Sequence, residues 1–94
     1  MGLEFYNVED TGEILFIIND KNFSSLEKNI ISLFNEKYNN LIDLYSDFRL
    51  YENHLKYLSE LLNNIEKRTP IEDDFLDNIN HCLNNKLVLL VKGN

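Results

Sequence analysis

Ninety-four residues and 11.1 kDa hold one hydrophobic core, because a second would need roughly another 50 residues, so residues 1–94 read as a single domain. At 44% hydrophobic and 27% charged, the chain has the balance of an ordinary globular protein and not of a disordered one. Sixteen acids against nine Lys and Arg leave a formal charge of −7, which repels a phosphate backbone and argues against direct nucleic-acid binding.

Residues 3–8 alternate Leu3, Phe5 and Asn7 against Glu4, Tyr6 and Val8, and residues 14–18 form an unbroken apolar run. The polar stretch 9–13 between them carries Gly12, which can take positive φ, so the pair reads as a β-hairpin. Residues 19–22 read as a loop. Ser24 then precedes Glu27 at capping-box spacing, and Leu26, Ile30, Leu33, Phe34 and Tyr38 recur at helical intervals. That predicts a first helix from about Ser25 to Tyr38, ended by Asn39 and Asn40.

Residues 41–50 fit neither period and stay open between strand, helix and loop, with room for a short extended piece at Phe48, Arg49 and Leu50. From Glu52 the helical pattern is plain. Leu55, Leu58, Leu61, Leu62 and Ile65 form one stripe, which predicts the longest helix of the chain, running to about Arg68. Thr69-Pro70-Ile71-Glu72 is a cap with proline at the first helical position. The helix behind it turns Ile71, Phe75, Ile79, Cys82 and Leu83 inward and closes at Asn84-Asn85. Lys86 and Lys92 flank five apolar residues, the pattern of a strand buried on both faces or central in a small sheet. The order β-β-α-α-α-β gives an α+β fold of two layers, a sheet of three or four strands with the helices packed on one face.

Reactive chemistry finds little support. His54 and His81 lie on different predicted helices and read as partly exposed surface histidines. The lone Cys82 has no internal disulfide partner and shares an inward stripe, so it reads as a buried thiol in a reducing compartment. His81 and Cys82 are adjacent, so their helical side chains diverge by about 100°, and no further ligand pattern completes a metal site. No phosphate-loop, dinucleotide, nucleophile-elbow, zinc-helix or EF-hand spacing occurs. The expectation is a protein with no catalytic activity, no metal and no cofactor. No apolar stretch approaches the roughly 20 residues of a membrane span, the start lacks a basic and apolar leader, and Tyr6 stands where a myristoylation signal wants Ser or Thr. A cytoplasmic protein without a membrane partner is expected.

Two acidic groups remain as candidate partner-binding surfaces. Asp43, Tyr45, Asp47, Tyr51 and Glu52 interleave carboxylates with tyrosines, rigid amphipathic side chains enriched at interfaces. Glu72, Asp73, Asp74 and Asp77 are denser, but they sit in the first turns of a helix, where the backbone dipole already accounts for them. Either group suits a cognate basic protein, and a strand edge would suit a homodimer.

A compact acidic α/β chain of this length without catalytic motifs resembles the immunity proteins of bacterial toxin–immunity pairs, among them those of colicins and of contact-dependent inhibition. The resemblance is one of size, charge and layout, while the site residues above come from this chain alone. Fifteen asparagines against one proline and three glycines are what AT-rich coding produces, in keeping with a bacterial or phage source. The resemblance implies a stoichiometric inhibitor that binds and neutralises a basic toxin domain, often a nuclease. A phage-type inhibitor of a host defence or transcription protein would use the same acidic surface. A small structural or adaptor subunit would use a strand edge or helix stripe instead.

Overall fold

A computed structural model describes residues 2–93. The opening hairpin forms, pairing β1 (Gly2–Asn7) antiparallel with β2 (Phe16–Asn19), Leu3 against Ile18 and Phe5 against Phe16. Strand alternation sets its faces: Leu3, Phe5 and Ile18 are buried, while Ile17 is 51% exposed on the other side. Gly12 does not adopt the positive φ expected of it. Side chains fold the turn instead, with Asn7 Oδ1 accepting the Glu9 N–H and Asp10 Oδ1 accepting the Gly12 N–H.

The first helix begins at Asp20 and not near Ser25. Asn19 leaves β2 with extended backbone and its side chain accepts the Asn22 N–H at 2.8 Å, so residues 19–22 are a cap and first turn where a loop was expected. Ser24 lies exposed inside α1 (Asp20–Leu26) and caps nothing. A π-helical turn, Glu27–Ile31, follows, and α2 (Ser32–Lys37) continues the same rod. The turn holds an extra residue, which delays the face by about 100°. Ile30 and Ile31 therefore both enter the core, and Leu33, expected on the inner stripe, is turned out. Asn39 and Asn40 end the rod in left-handed conformations, φ 56° and 58°, which asparagine tolerates better than most residues.

The undecided stretch is irregular as far as Asp47 and then forms β3 (Phe48–Leu50). α3 (Glu52–Asn63) stops well short of Arg68, because Asn64 caps it and the Arg68 guanidinium donates back to the Leu62 carbonyl at 3.3 Å. The longest helix is α4 (Pro70–Asn84). Its predicted start is reproduced: Thr69 Oγ1 accepts the Glu72 N–H, and Glu72 Oε1 accepts the Thr69 N–H at 2.8 Å. At its end Leu87 N–H donates to the Cys82 carbonyl and Lys86 N–H to that of Leu83, a closure that puts Lys86 at φ 55°. β4 (Leu89–Gly93) then enters the sheet.

The four strands run antiparallel in the order β2-β1-β4-β3, with the helices on one face. β4 is central, as expected, but only one of its faces is covered: Leu89 and Val91 are buried while Lys92 is exposed. The architecture is the α+β, two-layer one expected, with β3 as the added fourth strand. Phe75 joins the layers, stacked on Phe16 at 5.8 Å and edge-on to Phe5 at 5.9 Å. Leu76, which the inward stripe omitted, is buried beside it. Among the described residues no helix is long and apolar enough to cross a membrane.

His54 is partly exposed on α3, as expected, and it also does local structural work. Its ring packs edge-on against Tyr38 at 4.7 Å, and Nδ1 accepts the Tyr51 N–H at 2.9 Å, tying down the start of α3. Burial holds its pKa below the ordinary imidazole value. Only the neutral ring can accept that hydrogen bond, and the unfolded chain takes up the proton first. The stability His54 contributes is therefore complete above about pH 6.5 and is lost as the pH falls through the lower folded-state value. Urea midpoints should drop between about pH 7.5 and 5.5 in the natural chain and drop less in His54→Gln, where a neutral amide accepts the bond at every pH. An equal drop in both would assign the pH dependence to other groups.

Candidate partner-binding site

The loop between α2 and β3 is tied at both ends. At the first, the Asn35 side chain grips the backbone of Ile42, donating Nδ2–H to its carbonyl and accepting its N–H, both at 2.9 Å. At the second, Gly93 N–H donates to the Ser46 carbonyl and to Asp47 Oδ1, each at 3.2 Å. The approach is close enough that a Cβ at position 93 would stand 2.5 Å from the Leu44 carbonyl oxygen, so only glycine fits there. Inside the loop, Asp43 folds a tight turn, Oδ1 accepting the Tyr45 N–H and Oδ2 the Ser46 hydroxyl, both at 3.0 Å.

These ties hold Asp43, Tyr45 and Asp47 outward. All three are exposed, and Tyr45 at 72% is the most exposed large hydrophobic residue of the described chain. Beside them runs a groove of about 200 Å³, walled on one side by Phe23, Glu27 and Ile31 and on the other by Ile42, Asp43, Leu44 and Tyr45. Among the described residues neither Glu27 nor Asp43 has a cation within ion-pair distance. The π-helical turn supplies Glu27 and Ile31, a contribution that the helical intervals of the sequence could not show.

The nine candidate residues are not equally open to a partner. Tyr51 and Glu52 lie beyond the far end of β3, roughly 13 Å along the chain from Asp47 at strand rise, and Glu52 pairs with Lys56 at 3.3 Å. In the second group Glu72 is not available to a partner, being 3% exposed with its carboxylate committed to the Thr69 cap. Asp73 is held by the Arg68 guanidinium at 2.7 Å, which leaves Asp74 and Asp77 as the group's open carboxylates.

Cys82 is buried, and burial pushes its thiol pKa up, away from the reactive thiolate. Among the described residues no three His, Cys, Asp or Glu side chains converge to hold a metal ion. Comparison with protein-family models, with curated proteins and with solved structures gives no match.

Proposed function

We propose that the protein is a stoichiometric inhibitor of a basic protein, acting in the cytoplasm as an immunity protein against a cationic toxin domain. The observation that carries this reading is the tied loop 41–47, which presents Asp43, Tyr45 and Asp47 to solvent on a chain of charge −7. Binding residues concentrate on irregular segments held by a rigid scaffold, and a tyrosine among carboxylates is the composition of an interface centre meeting a basic patch. Negative charge steers such a partner into contact, and the buried contacts then govern escape.

Co-purification from the native host identifies the partner, for which a cationic protein bound one to one is expected. Its association rate should fall steeply between about 50 and 500 mM salt, as exposed charges become screened. Replacing Asp43 and Asp47 by asparagine removes both loop charges, leaves each side chain one acceptor oxygen, and should weaken binding by about 2 kcal/mol or more. A rate indifferent to salt, with unchanged affinity of the amide variant, would overturn the reading. Self-association is a second reading, favoured by the exposed Ile17 of edge strand β2 and by the exposed Ile14 just before it. Sedimentation of the isolated chain separates the two, since the inhibitor reading needs only a monomer.

A further inference from the structure

Resting on that reading, we infer that the groove between the π-helical turn and the 41–47 loop is the seat of one arginine side chain of the basic partner. Its size is the first reason. About 200 Å³ lies below the roughly 300 Å³ at which small-molecule pockets begin, and suits a single side chain.

Its lining is the second. Phe23, Ile31 and Ile42 are buried apolar residues that form the floor, a surface on which the methylene stem of a long cation packs. The only charged side chains in the lining are the carboxylates of Glu27 and Asp43, one from the rod and one from the loop. Asp43 spends one acceptor position of each oxygen inside its own turn, which leaves the others open. Glu27 makes no side-chain hydrogen bond or ion pair among the described residues, and both groups of the Asn35 amide are engaged by Ile42. Both carboxylates are exposed and solvated in the free protein, and the complement the groove asks of a partner is a donor of positive charge.

Arginine meets it better than lysine. Its planar fork of five donors can serve carboxylates on two walls at once, where an ammonium is a compact point charge. The exposed Tyr45 ring on the rim offers a face for the guanidinium plane. The π turn is what makes the seat, since it rolls Ile31 into the floor.

The test uses blocked tripeptides Ala-Arg-Ala, Ala-Lys-Ala and Ala-citrulline-Ala, titrated into the ¹⁵N-labelled full chain and followed by amide shifts. Ala-Arg-Ala should move the amides of Glu27, Ile31, Asp43, Leu44 and Tyr45 with millimolar saturation, more tightly than the lysine peptide, and the uncharged citrulline peptide should move none. Glu27→Gln is an exposed substitution whose spectrum should stay dispersed, and it should weaken the arginine peptide at least five-fold, while Asp74→Asn leaves it unchanged. Shifts centred on Asp74 and Asp77, equal response to citrulline, or no response would each overturn the arginine seat. The basic-partner reading has its own test. If the co-purified partner needs Asp43 and Asp47 but is indifferent to Glu27→Gln, the reading stands and the seat falls.

Discussion

Phe75→Ala should lower the unfolding free energy by about 3–5 kcal/mol, measured by urea titration. Phe75 is 1% exposed, and its ring is the partner that both Phe5 and Phe16 face across the two layers. Truncation removes the transfer free energy of a buried aromatic ring, and the cavity left behind cannot collapse because strands and helix are fixed by their own hydrogen bonds. Against a typical stability of about 5–15 kcal/mol, the variant would sit near the edge of folding. Phe75→Leu keeps most of the volume and should lose less than half as much. Equal loss in both would show that ring geometry and not volume holds the layers together.

Phe75 was readable in advance because it obeys a local rule: it lies on the apolar stripe of a helix whose start, Thr69 to Glu72, is written in four consecutive residues. The same holds for the hairpin, for β4 and for the ends at Asn39 and Asn85. What was not legible had non-local causes. The π-helical turn follows from what the rod packs against, so Leu33 and Ile31 exchange places without any mark in the spacing. α3 stops at Asn63 because Arg68 reaches back to it, a contact beyond the helix that the Leu stripe cannot encode. β3, by contrast, falls on residues 48–50, where the sequence left room for a short extended piece, and its pairing with β4 is what makes it a strand.

The candidate site divides in the same way. An interleaving of acids and tyrosines marked residues 43–52, and the loop 43–47 is indeed exposed and tied. Tyr51 and Glu52 lie beyond β3, the short extended piece for which residues 48–50 left room. Glu72 carried two meanings in the sequence, cap and surface acid, and its burial leaves only the first.

Asn35→Ala should destabilise the protein by about 2–3 kcal/mol, because it leaves both the N–H and the carbonyl of Ile42 without their partner in a partly buried place. The loss should exceed that of an ordinary surface substitution, which stays within about 0.5 kcal/mol. Amide exchange reports the local effect: protection at Ile42 and along the 41–47 loop should fall, while that of β1 and β4 falls only with global stability. Asn35→Asp retains the acceptor for the Ile42 N–H but sets a carboxylate against the Ile42 carbonyl, so it should not rescue. A variant with natural stability and undisturbed loop exchange would mean that the Gly93 tie alone fixes the loop.

The strand order β2-β1-β4-β3 has a consequence for synthesis. Its two middle strands are the first and the last of the described elements, separated by more than eighty residues of chain, so the hairpin, the helical rod and the α3–α4 pair can each take shape on local contacts while the sheet still lacks its centre. Until residues 89–93 have left the ribosome, the inner edge of β1 and the whole of β3 have no hydrogen-bond partner on that side. Nascent chains stalled short of Leu89 would carry an open sheet edge lined by Leu3 and Phe5, the form most exposed to chaperones and to mispairing with a neighbour.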